Sequence, residues 1–187
     1  MAEQSANSGS EAAVCQRGLV QVFTGEGKGK TSAGLGAVVR AVGQGLQACV
    51  VVFMKGDYPY GEWKTLAQLA NVKVVRFGFK TFTDPTKIKP EEIEQARQAL
   101  AFAREAILSG DYDLVVLDEV NVAAAWKLLE LDEVVKLIED KPEKVEVILT
   151  GRYADPKLIK LADLVTECLK IKHPYDSGMM ARRGFEY

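Results

Sequence analysis

The chain has 187 residues, and 24 Lys and Arg against 26 Asp and Glu leave a formal net charge of −2. That length is one domain's worth, enough to bury roughly 70% of the unfolded surface without a disulfide or metal staple. The balanced charge excludes a strongly basic nucleic-acid binder; three cysteines (Cys15, Cys49, Cys168) without a C-x-x-C, and the single His173, argue against a disulfide framework or a zinc centre.

Residues 1–17 are small and polar and read as a flexible tail before a domain spanning residues 18–187. Leu19–Phe23 is short, apolar and β-branched, a strand. A glycine-rich turn leads into a helix over Thr31–Val42. Ala48–Phe53 is a buried strand, within the longest unbroken apolar run. That run is far short of the roughly 20 residues of a membrane span. With no secretion signal in the first 15 residues, the expected location is the cytoplasm.

Glu62–Ala70 reads as a short helix and Val72–Arg76 as a third strand. Pro90–Ser109 is a long amphipathic helix with proline near its start and Gly110 just past its end. Asp113–Asp118 is a fourth strand, and Asp132–Asp140 a helix with an aspartate cap. Val145–Leu149 is a fifth strand, Asp155–Leu161 a short helix and Leu164–Ile171 a sixth strand. Strand and helix alternate, and the Val/Ile/Leu runs are continuous. This predicts an α/β fold: a parallel sheet with helices on both faces, a RecA-like three-layer sandwich of the P-loop NTPase kind. Ligands of such folds bind at the carboxyl ends of the strands.

The most informative stretch is Thr24-Gly25-Glu26-Gly27-Lys28-Gly29-Lys30-Thr31-Ser32, between the first strand and its helix. Its glycines allow a tight backbone that brings N–H groups to phosphate oxygens, and the helix N-terminus adds a favourable dipole. Lys30 supplies a mobile charge and the Thr31 hydroxyl a magnesium ligand. The pattern is irregular, because Thr24 stands where G-x-x-x-x-G-K-S/T begins with glycine. A second acidic element, Leu114–Glu119, ends in two carboxylates. One of Asp118 and Glu119 faces the metal and the other acts behind it. Arg40 and Arg152 are candidate phosphate contacts. No Asn-Lys-x-Asp guanine-reading motif occurs. On these residues alone a RecA-like ATPase or kinase, or a nucleotide-switched binding module, remains open.

Several segments in order resemble the phosphate-loop ATP:corrinoid adenosyltransferases. They are Thr24–Thr31, Arg40-Ala-Val-Gly43-Gln-Gly45, Phe53-Met-Lys55-Gly56, Leu117-Asp-Glu-Val-Asn121, Leu149-Thr-Gly-Arg152, His173-Pro-Tyr-Asp-Ser-Gly178 and Arg183-Gly-Phe-Glu-Tyr187. The resemblance runs from about Gly18 to Tyr187. It implies that a Co(I) corrinoid attacks the 5′-carbon of ATP and releases triphosphate. ATP and corrinoid are then the substrates and Mg²⁺ the metal, with Lys30 and Glu119 as catalytic residues. The resemblance implies phosphate contacts from Thr24 to Ser32, magnesium at Thr31, Asp118 and Glu119, and corrin contacts at Phe79, Phe82 and His173. Phe82 is expected to displace the lower axial ligand of cobalt. Thr81-Phe-Thr-Asp84 stands where many members have Gly-Phe-Thr-Trp. An electron-donating flavoprotein and a homodimer are the implied partners, with no nucleic acid and no membrane.

Overall fold

The computed structural model describes residues 17–187, so all of the expected tail except Arg17 lies outside the described residues. The elements run β1 (Val20–Thr24), α1 (Lys30–Gly43), β2 (Ala48–Val52), α2 (Gly61–Leu66), β3 (Val72–Arg76), α3 (Pro90–Leu108) and β4 (Leu114–Asp118). There follow α4 (Val120–Ala125), α5 (Leu131–Glu139), β5 (Glu146–Thr150), α6 (Pro156–Leu161), β6 (Leu164–Glu167) and a 3₁₀ turn at Pro174–Ser177. All strand pairs are parallel, in the order β3-β2-β4-β5-β1-β6.

The continuous apolar runs are explained by burial on two faces. In β2, Cys49 and Val51 join a core with Ala99, Ala103 and Ile107 of α3 and Val134 and Leu137 of α5. The alternate residues Ala48, Val50 and Val52 face Val38 of α1 and Trp63 and Leu66 of α2. This is the three-layer arrangement expected from the sequence. At roughly 1.5–3 kcal/mol for each fully buried large aliphatic side chain, these two cores are the main source of stability.

Helix α3 has Pro90 in its first turn, and the Glu92 carboxylate accepts the Lys89 N–H at 2.8 Å. Four expectations need correction. Helix α2 ends at Leu66 rather than Ala70. Helix α5 starts at Leu131 with Glu130 before it, so Asp132 lies in the first turn and caps nothing. Helix α4 was not foreseen; its six residues continue directly from the acidic strand end with no side-chain cap. β6 stops at Glu167 rather than Ile171, because it is an exposed edge strand and the chain leaves it to cross the phosphate loop.

Candidate active site

The carboxyl ends of β1, β2, β4 and β5 converge on one cleft. Three non-glycine residues take left-handed backbone there: Met54 after β2 (φ 62°), Glu119 after β4 (φ 66°) and Tyr153 after β5 (φ 62°). Each such conformation costs about 1–2 kcal/mol and persists only where the surroundings enforce it. Here each turns the chain sharply off the sheet, so that Lys55, Glu119 and Arg152 line the same cleft of about 590 Å³. That volume suits a small-molecule site.

The glycine-rich loop closes one side. Gly25 and Gly29 have positive φ, 93° and 124°. Gly27 is needed for another reason: a Cβ there would lie 2.5 Å from the Leu169 carbonyl oxygen. Its N–H donates to Cys168 O at 2.6 Å. The chain after β6 thus packs on the loop backbone, and Gly27 N–H is committed to protein rather than left for phosphate. Thr24 is also structural: its hydroxyl accepts the Ala154 N–H at 3.2 Å, and it does not line the cleft.

Lys28, Gly29, Lys30, Thr31 and Ser32 do line it. The first turn of α1 contains no acidic residue. Its orphan N–H groups and dipole therefore favour an anion, with no acidic residue of the helix's own first turn to compete. Lys30 Nζ donates to Gly25 O at 2.7 Å and Gly27 O at 2.6 Å. Burial, and then the Arg152 guanidinium, lower its pKa from the ordinary lysine value. Arg152 is held by Glu26 at 3.1 Å, both half-exposed.

The acidic strand end forms the floor. Asp118 is fully buried. Its Oδ1 accepts from Thr31 Oγ1 at 2.8 Å and Thr150 Oγ1 at 2.7 Å, and its Oδ2 from Lys55 Nζ at 2.8 Å. Glu119, not Asp118, reaches the cleft, and its Oε1 lies 3.0 Å from Lys55 Nζ. Burial alone would lower the Lys55 pKa, but Asp118 and then Glu119 outweigh it and hold it above the ordinary value.

An aromatic row continues the wall. The Tyr58 ring centroid lies 4.8 Å from that of Tyr60 and 5.1 Å from that of Phe82, both tilted, and 5.9 Å from that of Tyr187, edge to face. Phe82 is 71% exposed and stands one ring behind the cleft; Phe79 is also exposed and outside the lining. His173 lines the cleft, and its Nδ1 accepts the Tyr175 N–H at 3.2 Å, capping the 3₁₀ turn. Glu186 and the Phe185 carbonyl hold Lys28 Nζ at 2.8 and 2.7 Å, tying the final residues to the loop.

Arg40 does not join this group. It is exposed in the last turn of α1, about 15 Å along the helix from Lys30 at 1.5 Å per residue, and is absent from the cleft lining. Lys55, Tyr60 and Glu186 are among the cleft-lining residues that sequence reasoning did not assign to the site. For Lys55 a signal existed: a lysine just past the carboxyl end of a buried parallel strand.

Clustered oxygens, the four cations Lys28, Lys30, Lys55 and Arg152, and a bare helix N-terminus suit a polyphosphate with a hard metal ion. Among the described residues no group of three or more Asp, Glu, His or Cys could hold a metal without such help. No described helix is long and apolar enough to cross a membrane.

Comparison with known proteins agrees with this chemistry. The sequence model described as ATP:corrinoid adenosyltransferase BtuR/CobO/CobP matches residues 16–187. A corrinoid adenosyltransferase of Escherichia coli K12 is 36% identical over 173 residues, covering 92% of this chain and 87% of that protein. One from Sinorhizobium sp is 38% identical over 175 residues (92% and 81%), and one from Pseudomonas aeruginosa 37% over 172 (92% and 85%). With a glycine-rich loop and a cationic cleft on a parallel sheet, and this similarity along nearly its whole length, the chain belongs to the ATP:corrinoid adenosyltransferase family.

Proposed function

We propose that the protein transfers the 5′-deoxyadenosyl group of ATP to the cobalt of a reduced corrinoid, such as cob(I)alamin or cob(I)yrinic acid a,c-diamide, and releases triphosphate. The observation that carries the site assignment is the convergence of the α1 N-terminus, Lys30, and the Thr31–Asp118 hydrogen bond on one cleft. The Co(I) electron pair attacks C5′. The Co–C bond forms as the C5′–O bond breaks, and triphosphate leaves with that bond's electrons while cobalt becomes Co(III). Because the nucleophile brings its own pair, no side chain has to accept a proton.

The chain's work is positioning and charge. Lys30 leaves the Gly25 and Gly27 carbonyls to bind the triphosphate, with Arg152 and the first-turn amides of α1 beside it. The oxygens of Thr31, Asp118 and Glu119 are hard ligands that suit magnesium, which needs only one or two carboxylates when phosphates complete its shell. Magnesium, when bound, supplies positive charge against the leaving group. Phe82, exposed on the aromatic row, packs against the corrin and keeps the lower axial ligand off cobalt; Phe79 and His173 flank that face.

The electron donor that makes Co(I) is a flavoprotein, the location is the cytoplasm, and the unit is a homodimer. The exposed apolar residues Leu164 and Val165 on edge strand β6 support that last point. The test is the product. Protein, ATP, Mg²⁺ and chemically reduced cobalamin should yield triphosphate and a light-sensitive Co–C bond in equal amounts. ADP and phosphate released without corrinoid would refute the reading.

A further inference from the structure

Among the described residues, Lys55 is the cation that sits between the two carboxylates that end β4. Its Nζ lies 2.8 Å from Asp118 Oδ2, 3.0 Å from Glu119 Oε1 and 3.4 Å from Thr31 Oγ1. These three contacts match the three donors of an ammonium. They come from the same residues that the proposed function gives to magnesium. A magnesium ion needs its oxygens at about 2.0–2.1 Å, so it and the ammonium cannot share them.

The surroundings fit a side chain that changes partners. Lys55 lies in the cleft lining with Lys30 and Arg152, on a flexible four-carbon stem beside Tyr60, whose ring centroid is 5.5 Å from Nζ. The left-handed Met54 immediately before it aims the stem across the strand ends. Asp118 is 1% exposed, and a carboxylate so buried is costly without a partner cation.

We propose that Lys55 is an exchangeable internal cation: it neutralises Asp118 and Glu119 until the nucleotide's metal takes their oxygens, then moves onto the triphosphate. Charge in the floor is thereby kept nearly constant through binding. The leaving group receives a second lysine besides Lys30. This rests on the reading of Thr31, Asp118 and Glu119 as the metal's ligands.

The test measures binding rather than turnover, with Mn²⁺ followed by electron paramagnetic resonance and inorganic tripolyphosphate by calorimetry. Without nucleotide, Lys55→Gln and Lys55→Met are expected to bind Mn²⁺ about tenfold tighter than wild type, the worth of one competing charged hydrogen bond. Both should bind metal-free tripolyphosphate more weakly. A lysine that only props the floor predicts unchanged or weaker Mn²⁺ binding, and that result overturns the exchange. Asp118→Asn separates the two levels. If it leaves Mn²⁺ binding intact, the ligand assignment itself fails. If it removes binding while Lys55→Gln changes nothing, only the exchange fails. Should the neutral variants not fold, wild-type protein decides by NMR. The scalar coupling across the Lys55–Asp118 hydrogen bond should vanish on adding Mg²⁺ with tripolyphosphate, and its persistence overturns the proposal.

Discussion

The Thr24 hydroxyl accepts the Ala154 N–H at 3.2 Å, tying the start of the phosphate loop to the turn that carries Arg152. A glycine there would complete the usual motif and lose this tie. Thr24→Gly is therefore expected to lower stability by about 1–2 kcal/mol, from one hydrogen bond and added chain entropy. KM for ATP should rise as Arg152 loosens. Urea unfolding and steady-state kinetics check both; a variant as stable as wild type would remove the argument.

Two glycine substitutions should part sharply. Gly27→Ala sets a Cβ against the Cys168 and Leu169 carbonyl oxygens, at 2.7 and 2.5 Å, with backbone on both sides. A loss of about 2 kcal/mol or more is expected, at the upper part of the overpacking range. Gly36→Ala, within α1 and facing open space, should stabilise by about 0.5–1 kcal/mol. Thermal melts of the pair, side by side, measure the contrast.

Lys30→Ala removes the loop's mobile charge. Turnover should fall by about 10²-fold or more, as when one transition-state donor is lost. Stability should fall by no more than about 1–3 kcal/mol, because the bonds lost are to two carbonyls of the lysine's own loop, of which that of the buried Gly27 is left without this partner. Single-turnover formation of the Co–C bond is the measurement, and near-normal rates would show that the loop does not hold the leaving group.

For Phe82→Ala the starting oxidation state decides. The side chain is largely exposed, so folding should be nearly unaffected. Activity should drop further when the assay starts from Co(II) than from chemically prepared Co(I), since only the former needs the axial ligand removed. Equal losses in the two assays would leave Phe82 a contact residue and nothing more.

The three-layer fold was legible because β2, β4 and β5 are unbroken β-branched and aliphatic runs, and only burial on two faces tolerates that. Ends were less legible where tertiary contacts decide them. Leu164–Ile171 is rich in apolar and β-branched residues, yet pairing with β1 stops at Glu167, and Cys168 turns to meet Thr24 and Gly27. Helix α4 has neither length nor cap to announce it. In the site, Lys30, Thr31, Asp118 and Glu119 were legible from the strand-loop-helix context. The partner of Gly27 N–H was not, since it lies some 140 residues away in sequence. Arg40 was within reach of simple helical arithmetic, which sets it at the wrong end of α1. Lys55 was marked by its place just past a buried strand, but its contact with Asp118 and Glu119 emerges only when β2 and β4 are laid side by side.

Gly56 and Gly78 touch backbone to backbone: a Cβ on Gly56 would stand 2.2 Å from the Gly78 carbonyl oxygen, and one on Gly78 2.7 Å from the Met54 carbonyl carbon. This pairing joins the turn that carries Lys55 to the loop that carries Phe79 and Phe82. A genetic screen for loss of activity should therefore recover substitutions at these two glycines, although neither lines the cleft. Under the proposed assignment of Lys55 to triphosphate and Phe82 to the corrin, alleles at Gly56 and Gly78 would disturb the handling of both substrates together.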